Sequence, residues 1–276
     1  MHILITGANG QLGRELQHVL KNHQLLLRSW PDFDVLEPEA EKKVIDLRPD
    51  VVIHAAAYTD VEGAEGEPDK AMAINAEGTE RVARAAAKTG ARLIYLSTDY
   101  VFDGQKGAPY RETDEPNPLN AYGRSKLEGE RKALAYCANT LVVRTAWLYG
   151  AHGKNFVKTI MRLASEQPEL RVVADQRGCP THAGDLAQAL ARILDTDLRG
   201  VVHAAGAGDC TWYEFACTIV SLMGSSVTVR PITTAEAKRA APRPPYSVLA
   251  TRGLAEKGIT LPYWKEALTR FMKEAG

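Results

Sequence analysis

The apolar residues in the first half of the chain form short continuous runs, and longer segments with helical spacing separate them. Five of these runs predict buried strands, at residues 2–6, 25–29, 51–54, 92–97 and 140–144. The intervening segments predict helices at residues 11–20, 37–47 and 68–88, and another from just after Pro118 to about residue 136. Polar positions do not alternate within the runs, so we expect a parallel sheet that helices cover on both faces.

Strands that alternate with helices and connect by right-handed crossovers favour an α/β fold with a doubly wound parallel sheet of the Rossmann type. The pattern loosens after about residue 150, where Pro168, Pro180, Pro231 and the proline-rich run 242–245 interrupt it. We therefore expect a first domain at residues 1–150. Residues 151–276 should form a smaller, partly interleaved C-terminal lobe, with some segments returning to the first domain.

The charge balance limits the classes of partner that the chain can have. Lys plus Arg and Asp plus Glu number 34 each, which argues against a strongly basic nucleic-acid binder and against an acidic disordered protein. No run approaches the ~18 apolar residues that a membrane-spanning helix needs, and the first residues lack the basic start of a signal peptide. We expect neither a nucleic-acid partner nor a membrane partner.

Four widely spaced cysteines, at positions 137, 179, 210 and 217, show no Cys-x-x-Cys pattern. This spacing favours free thiols over a disulfide framework or a zinc site. Free thiols are typical of a reducing compartment, so we expect a cytoplasmic protein.

A glycine-rich turn, Gly-Ala-Asn-Gly-Gln-Leu-Gly at residues 7–13, follows the first strand and opens the first helix. Glycines at these three positions permit a tight turn, a close approach of the backbone to a pyrophosphate, and close packing of the helix on the strand. The helix N-terminus adds free N–H groups and a positive dipole end. We interpret the turn as a dinucleotide site, with a simple glycine turn as the alternative; its cofactor-binding candidates are Gly7, Asn9, Gly10, Gln11, Leu12 and Gly13.

The end of the second strand predicts which dinucleotide is preferred. A carboxylate there would bond the ribose 2′-OH of NAD, but this chain has Arg28 and Ser29. A guanidinium can pair with a 2′-phosphate in a forked geometry, so we predict a preference for NADPH. The alternative is an exposed arginine at a strand end. Asp32 and Asp34 follow slightly later and are candidates for the adenine side.

Tyr122 and Lys126 are four residues apart on a predicted helix and therefore share one of its faces. An ammonium group beside the phenol would lower the pKa of Tyr122 and suit it to proton transfer with a carbonyl or hydroxyl oxygen. Thr98, at the carboxyl end of the fourth strand, is placed to hold the reacting oxygen beside Tyr122. We interpret these three residues as catalytic; a surface helix that carries a tyrosine and a lysine by chance is the alternative.

With this glycine turn and this Thr/Tyr/Lys set, the chain resembles the extended short-chain dehydrogenase/reductase superfamily, and within it the dTDP-4-dehydrorhamnose reductase family. The glycine and Tyr/Lys motifs are typical of the whole superfamily, whereas the last three motifs below are more specific to the reductases. The resemblance covers nearly the whole chain through the motifs Gly-Gln-Leu-Gly at 10–13, His-Ala-Ala-Ala-Tyr-Thr at 54–59, Ser-Thr-Asp-Tyr-Val-Phe at 97–102, Tyr-Gly-Arg-Ser-Lys at 122–126, Arg-Thr-Ala-Trp-Leu-Tyr-Gly at 144–150, Asp-Gln-Arg-Gly-Cys-Pro-Thr at 175–181 and Arg-Pro-Pro-Tyr-Ser-Val-Leu at 243–249.

The resemblance implies that NADPH or NADH reduces the C4 keto group of dTDP-4-dehydro-L-rhamnose to give dTDP-L-rhamnose. Tyr122 would donate the proton, Thr98 would hydrogen-bond the oxygen, and Lys126 would tune the tyrosine and hold the nicotinamide ribose. Asn75 matches a helix asparagine near the active site of the superfamily, although a structural role suits it equally. The resemblance also implies a cofactor contact for Ala55, Ala56 and Ala57.

For the sugar nucleotide, the resemblance implies contacts from Thr98, Asp99, Tyr100 and Trp147. An indole offers a flat apolar wall to a deoxysugar, although ordinary core packing is the alternative for Trp147. Further candidates for contacts with the sugar or its diphosphate are Asn155, Lys158 and Arg243, for which simple solvation is the alternative.

Some reductases of this group bind Mg²⁺ through glutamates at a dimer contact. Glu15 is present here, but Gly184 stands where a second glutamate would align, just before Asp185. The chain thus departs from the magnesium pattern, and both a monomer and a homodimer remain open.

Two other functions share these motifs. A nucleotide-sugar epimerase or dehydratase has the same fold and the same Tyr/Lys pair, but it recycles its cofactor. A non-catalytic NADP-binding regulatory subunit, like that of methionine adenosyltransferase, can also keep the pair.

Overall fold

The computed structural model describes residues 1–275, and this part of the chain contains twelve strands and twelve α-helices. The strands are β1 (His2–Thr6), β2 (Gln24–Arg28), β3 (Val51–His54), β4 (Arg92–Thr98), β5 (Thr140–Thr145), β6 (Leu148–Tyr149), β7 (Glu169–Val173), β8 (Arg177–Gly178), β9 (Thr181–His182), β10 (Gly200–His203), β11 (Cys210–Thr211) and β12 (Thr228–Ile232).

The helices are α1 (Gln11–Val19), α2 (Ala40–Leu47), α3 (Val61–Gly66), α4 (Pro68–Met72), α5 (Gly78–Thr89), α6 (Ala121–Tyr136), α7 (Phe156–Glu166), α8 (Ala183–Leu194), α9 (Trp212–Leu222), α10 (Thr234–Ala237), α11 (Arg252–Ala255) and α12 (Trp264–Ala275). A π-helical turn, Ala73–Glu77, joins α4 to α5, and a 3₁₀ turn, Asp99–Val101, follows β4.

Six parallel strands form the central sheet in the order β2-β1-β3-β4-β5-β10. The chain runs outward from β1 in both directions, so the strand order reverses between β1 and β3. Ligands of doubly wound sheets bind at such a reversal, outside the carboxyl ends of the strands. The predicted doubly wound fold is confirmed, and each of the five predicted strands is present with ends that differ by at most one residue.

Alternate residues of the strands supply two separate hydrophobic layers. Ile3 and Ile5 of β1 face α1 and α8, whereas Leu4 between them faces α2 and α5. All three side chains are fully buried, as expected for a sheet that helices cover on both faces. The layer on the α1 side includes Leu186 of α8, so residues after 150 contribute to the core of the sheet.

The predicted helix at residues 68–88 differs from the structure in its middle. It is interrupted by the π-helical turn, in which Asn75 is almost fully buried. The acidic stretch before it, residues 60–69, contains the short helix α3, whose N-cap Asp60 accepts from the Gly63 N–H. No helix within residues 1–275 is both long and apolar enough to cross a membrane.

A third hydrophobic cluster lies away from the sheet. It is formed by α7, α9, α12 and the two-stranded parallel sheet of β7 and β12, with Phe215 and Trp264 fully buried at its centre. This cluster gives the residues after 150 a core of their own beside the carboxyl ends of the strands.

Candidate active site

Two adjoining cavities lie at the carboxyl edge of the central sheet. The first cavity, about 900 Å³, is lined by the glycine turn, the segment after β3 and the end of β4. The second cavity, about 790 Å³, lies between the end of β4 and the elements α7, β7 and α9. The residues common to both linings mark the junction: Thr59, Thr98, Asp99, Tyr122 and Trp147.

The glycine turn of the first cavity has no room for side chains at two positions. Gly7 has φ of +69°, and a Cβ there would lie 2.7 Å from the Ala56 amide nitrogen. A Cβ on Gly13 would lie 2.3 Å from the Gly7 carbonyl oxygen. The N-cap, Gly10, offers no side chain to the first N–H groups of α1, and the first turn of α1 holds no acidic residue. This turn fits an anionic diphosphate.

The segment after β3 passes close to the glycine turn and is held there by Asn75. The Asn75 carboxamide accepts from the Tyr58 N–H (2.8 Å) and donates to the Tyr58 carbonyl (3.0 Å) and to Ser125 Oγ (2.9 Å). Ser125 in turn donates to the Tyr122 carbonyl. Asn75 therefore joins the segment that lines the first cavity, at Ala55, Ala56 and Ala57, to the helix that carries Tyr122.

Of the candidate residues at and after the end of β2, only Asp34 lines the first cavity. Asp34 lines the first cavity and accepts from the Leu36 N–H. Ser29 Oγ accepts from the Asn9 N–H at 2.8 Å and so anchors the glycine turn. The Arg28 guanidinium donates to the Leu27 carbonyl and is not part of the lining.

Tyr122 and Lys126 lie at the start of α6, which Asn120 caps by accepting from the Gly123 N–H at 2.7 Å. Gly123 lets this turn approach the 3₁₀ turn after β4 closely, because a Cβ there would lie 2.2 Å from the Tyr100 carbonyl oxygen. The Lys126 ammonium lies under the sheet end, donates to the Leu96 carbonyl at 2.6 Å and sits 4.1 Å above the Tyr95 ring. Both predicted residues line the first cavity, as the shared helix face requires.

We expected Lys126 to lower the pKa of Tyr122, but in the structure this pKa is raised. Burial raises the pKa of Tyr122 to about 12, and the nearby Thr98 hydroxyl lowers it only in part. Burial also lowers the pKa of Lys126 to about 7, against the opposing effect of Glu130. The sequence spacing predicted the shared face correctly, but it carried no information about desolvation, which dominates both groups. Tyr122 is therefore a neutral phenol at neutral pH.

A buried ion pair supports the helix one turn beyond Lys126. The Glu130 carboxylate accepts from Arg144 Nε (2.9 Å) and Nη2 (2.6 Å), and from Ser97 Oγ (2.5 Å). Glu130 and Arg144 are each about 3% exposed. This two-pronged contact fixes α6 against β4 and β5 beside the catalytic candidates.

Asp99 lies at the junction of the cavities and is 2% exposed. Its Oδ1 accepts from Thr98 Oγ1 at 3.1 Å, and its Oδ2 lies 2.5 Å from Ser247 Oγ in the motif at 243–249. Burial raises the pKa of Asp99 to about 7, although the two hydroxyl contacts act in the opposite direction.

Stacked aromatic rings form one wall of the second cavity. Trp147 has a positive φ of 46°, and its indole packs against the backbone of Gly178, where a Cβ would lie 2.4 Å from the ring. The Trp147 indole also stacks on the indole of Trp212, the first residue of α9. Trp212 lines the same cavity. The Phe156 ring packs against Trp212 in a tilted arrangement, with ring centroids 4.5 Å apart.

The model of the RmlD substrate binding domain family matches residues 1–276 of this sequence. The chain belongs to the RmlD family. A dTDP-4-dehydrorhamnose reductase of Mycobacterium tuberculosis (strain H37Rv) is 44% identical over 276 aligned positions, which cover 96% of this chain and 90% of that protein.

Solved structures of other proteins have the same fold. The dTDP-4-dehydrorhamnose reductase of Bacillus anthracis in complex with NADP superposes with a TM-score of 0.96 at 42% identity, covering 99% of both chains. The UDP-glucose 4-epimerase of Thermus thermophilus in complex with NAD has a TM-score of 0.85 at 20% identity, covering 99% of this chain and 98% of that one. The latter likeness is one of fold alone.

Two of the sugar-nucleotide candidates of this RmlD-family chain, Asn155 and Lys158, lie outside both cavities. Asn155 caps α7 by accepting from the Lys158 N–H at 3.1 Å, and its amide donates to Gln11 and to the Gly150 carbonyl, each at 2.9 Å. The Lys158 ammonium donates to the Ala151 carbonyl. Neither side chain contributes to a cavity lining, because both are engaged in capping and closing the turn before α7.

Arg243 does line the second cavity, where Glu62 of α3 lies 2.6 Å from its guanidinium. Arg171 of β7 and Arg239, which follows α10, line the same cavity and were missed in the sequence. The strand β7 was not predicted, so nothing indicated which way Arg171 faces. Trp30, Lys70 and Lys154 of the first cavity were also missed, and only the position of Trp30 just after β2 offered a signal.

The magnesium positions of the RmlD-family pattern lie together in space. Glu15 of α1 approaches Gly184 of α8: a Cβ built on Gly184 would lie 3.6 Å from Glu15 Oε2. The next residue, Asp185, bonds Arg270 through both oxygens. Among residues 1–275, no cluster of three or more His, Cys, Asp or Glu side chains could hold a metal ion.

Proposed function

We propose that this chain is an NADPH-dependent oxidoreductase that reduces the C4 keto group of dTDP-4-dehydro-L-rhamnose to dTDP-L-rhamnose. One observation carries the proposal: Thr98 and Tyr122 lie where a cavity with a diphosphate-binding glycine turn meets a second cavity. The substrate and product follow from the relatives that are dTDP-4-dehydrorhamnose reductases, at about this chain's full length.

The residues at the junction suit reduction. NADPH, when bound, supplies a hydride. Tyr122 is a neutral phenol, so it donates a proton to the carbonyl oxygen as negative charge develops there. Thr98 donates a hydrogen bond to the same oxygen, and Lys126 binds the nicotinamide ribose from the floor of the first cavity.

The fit of the first cavity to a dinucleotide rests on the glycine turn and the alanines after β3. Asp34 and Trp30 line this cavity and would contact the adenine side of the ligand. The Arg28 guanidinium, which here donates to the Leu27 carbonyl, would pair with the 2′-phosphate of NADPH. The NADP complex of the relative from B. anthracis supports this cofactor.

The second cavity takes the sugar nucleotide. Tyr100 and Asp99 contact the hexose, while Trp147 provides its apolar wall. Three guanidinium groups line this cavity and offer donors to a diphosphate: Arg239, Arg243, which pairs with Glu62, and Arg171, which lies 4.0 Å from Glu236.

We assign residues 1–150 to cofactor binding and residues 151–276 mainly to the sugar nucleotide. Segments such as β10 and α8 of the second part complete the central sheet and its cover. A monomer and a homodimer are both compatible with this site, because its candidate residues come from one chain.

The test is NADPH oxidation, followed by absorbance of the nicotinamide, with purified protein and enzymatically made dTDP-4-dehydro-L-rhamnose. A reductase oxidises one NADPH for each dTDP-L-rhamnose formed. An epimerase or dehydratase would convert a nucleotide sugar without net NADPH consumption, and a regulatory subunit would bind NADPH without turnover. Either of those outcomes contradicts the proposal.

A further inference from the structure

A single carboxylate, that of Glu62 in α3, binds both the guanidinium of Arg243 and the backbone just before it. Glu62 Oε1 lies 2.6 Å from Arg243 Nη1. Glu62 Oε2 accepts from the N–H groups of Ala240 and Ala241, at 3.0 and 3.3 Å. Because both oxygens are engaged on residues 240–243, Glu62 fixes the backbone before Arg243 and the end of its side chain together.

The rest of this segment is also held by the first part of the chain. The amide of Asn120, a fully buried residue at the start of α6, donates to the Pro242 carbonyl at 2.8 Å. Burial acts to raise the pKa of Glu62, but the Arg243 guanidinium and the two backbone N–H groups lower this pKa by more, so Glu62 is a carboxylate. Each of the three residues that precede Arg243 is therefore fixed.

The contacts of Arg243 with Glu62 leave one edge of the guanidinium for a ligand. The Nη1 group lies against Glu62 and also donates to the Ala241 carbonyl at 3.0 Å. The Nε and Nη2 groups take no part in these two contacts. Arg243 lines the second cavity beside the Tyr100 phenol, which lines it as well. Two parallel N–H groups of a guanidinium match two oxygens of a phosphate.

We propose that Glu62 is a positioning residue for the sugar nucleotide, which holds Arg243 so that the Nε and Nη2 groups meet the diphosphate. This inference rests on the proposed function of the second cavity. Glu62 is not displaced by an entering anion, because its other oxygen stays bound to two backbone N–H groups. A guanidinium that is already in place loses less conformational entropy on binding than a free one, so Glu62 tightens binding although its own charge is negative.

The experiment measures the dissociation constant of dTDP by isothermal titration calorimetry, on the full chain with saturating NADP⁺. Glu62→Gln is close to Glu62 in size, and its amide oxygen can still accept from residues 240 and 241, so it removes only the ion pair. We expect it to raise the dissociation constant of dTDP, and KM for dTDP-4-dehydro-L-rhamnose, by about 5- to 20-fold. Neither kcat nor the dissociation constant of NADPH should change.

Glu236→Gln is the matched control for the lost charge. Glu236 also stands beside an arginine of the second cavity, Arg171, but the pair is 4.0 Å apart and its carboxylate side chain is 53% exposed. Solvent screens such a pair, so the dissociation constant of dTDP should stay at the wild-type value. In a chain that already carries Arg243→Met, Glu62→Gln should raise this constant no further, because Glu62 acts through the guanidinium.

Glu62→Asp keeps the charge but is one methylene shorter, so it cannot span the backbone N–H groups and the guanidinium together. It should also weaken dTDP binding, and it carries the test if Glu62→Gln does not fold. An unchanged or lower dissociation constant in these variants, or an additive effect with Arg243→Met, overturns the role of Glu62. A wild-type chain that binds no dTDP or oxidises no NADPH overturns the proposed function instead, so the two failures are distinguishable.

Discussion

The indole rings of Trp147 and Trp212 lie nearly parallel, with centroids 3.4 Å apart and an interplanar angle of 6°. Trp147 lies between β5 and β6 in the wall of the second cavity. Trp212 is the first residue of α9, whose N-terminus carries a capping box formed by Thr211 and Glu214. The capping box fixes the start of α9 and thereby the plane of Trp212. Trp212 in turn holds the Trp147 indole, whose backbone has an unfavourable positive φ.

Trp212→Ala is therefore expected to raise KM for the sugar nucleotide by about 2- to 10-fold, the free energy of one aromatic stack. The dissociation constant for NADPH should not change, because Trp212 is absent from the lining of the first cavity. Steady-state kinetics and NADPH fluorescence titration measure the two effects. Trp212→Phe should restore much of the affinity. Phe271→Leu, in the same cluster but outside the cavity linings and packed on Tyr149 and His182, should leave KM unchanged.

Tyr122→Phe is expected to lower kcat by about 10²–10⁴-fold, because it removes the proton donor and little else. NADPH binding should persist, which a fluorescence titration checks. Tyr100→Phe is the matched control: its ring lies 6.0 Å from that of Tyr122, and its loss should affect KM more than kcat. Equal effects of the two substitutions on kcat would move the proton donor elsewhere.

Arg28→Ala tests the cofactor preference. Loss of a charge-assisted contact to the 2′-phosphate is expected to reduce the ratio of kcat/KM for NADPH to that for NADH by about 10- to 100-fold. Lys21→Ala removes an exposed cation beyond the far end of α1 and should leave this ratio unchanged. An unaltered ratio in Arg28→Ala would assign the selectivity to another part of the first cavity.

The strands and the glycine turn could be predicted because each depends on local sequence. Continuous apolar runs define β1 and β3, and the steric limits at Gly7 and Gly13 leave a recognisable spacing. The shared face of Tyr122 and Lys126 is equally local, since it follows from helical geometry. Most of the cofactor-binding part of the site could therefore be predicted from the sequence.

The substrate side depends on contacts between distant parts of the chain, which spacing does not encode. Trp212 meets Trp147 across 65 positions, and Ser247 meets Asp99 across 148. The π-helical turn at Asn75 lies inside an otherwise regular helical pattern. The pKa of Tyr122 went in the opposite direction from the prediction because it depends on burial by the whole fold.

The ion pair of Glu130 and Arg144 gives a test of stability rather than of catalysis. Removal of either partner leaves an uncompensated charge in a site that is about 3% exposed. Glu130→Gln or Arg144→Met alone is therefore expected to lower the free energy of unfolding by about 3–5 kcal/mol. The double variant carries neither charge and should be less destabilised than either single variant. Urea denaturation measures all three.

The matched control for this pair is Arg162 with Glu166 on α7, a pair whose side chains are 60% and 50% exposed. Arg162→Ala is expected to change the free energy of unfolding by less than about 1 kcal/mol, because solvent screens an exposed pair. A small effect of Glu130→Gln, similar to that of Arg162→Ala, would show that solvent reaches the carboxylate. In that case the Glu130 charge would be screened and would not raise the pKa of Lys126. The pKa of Lys126 would then be the same in Glu130→Gln as in the wild-type protein.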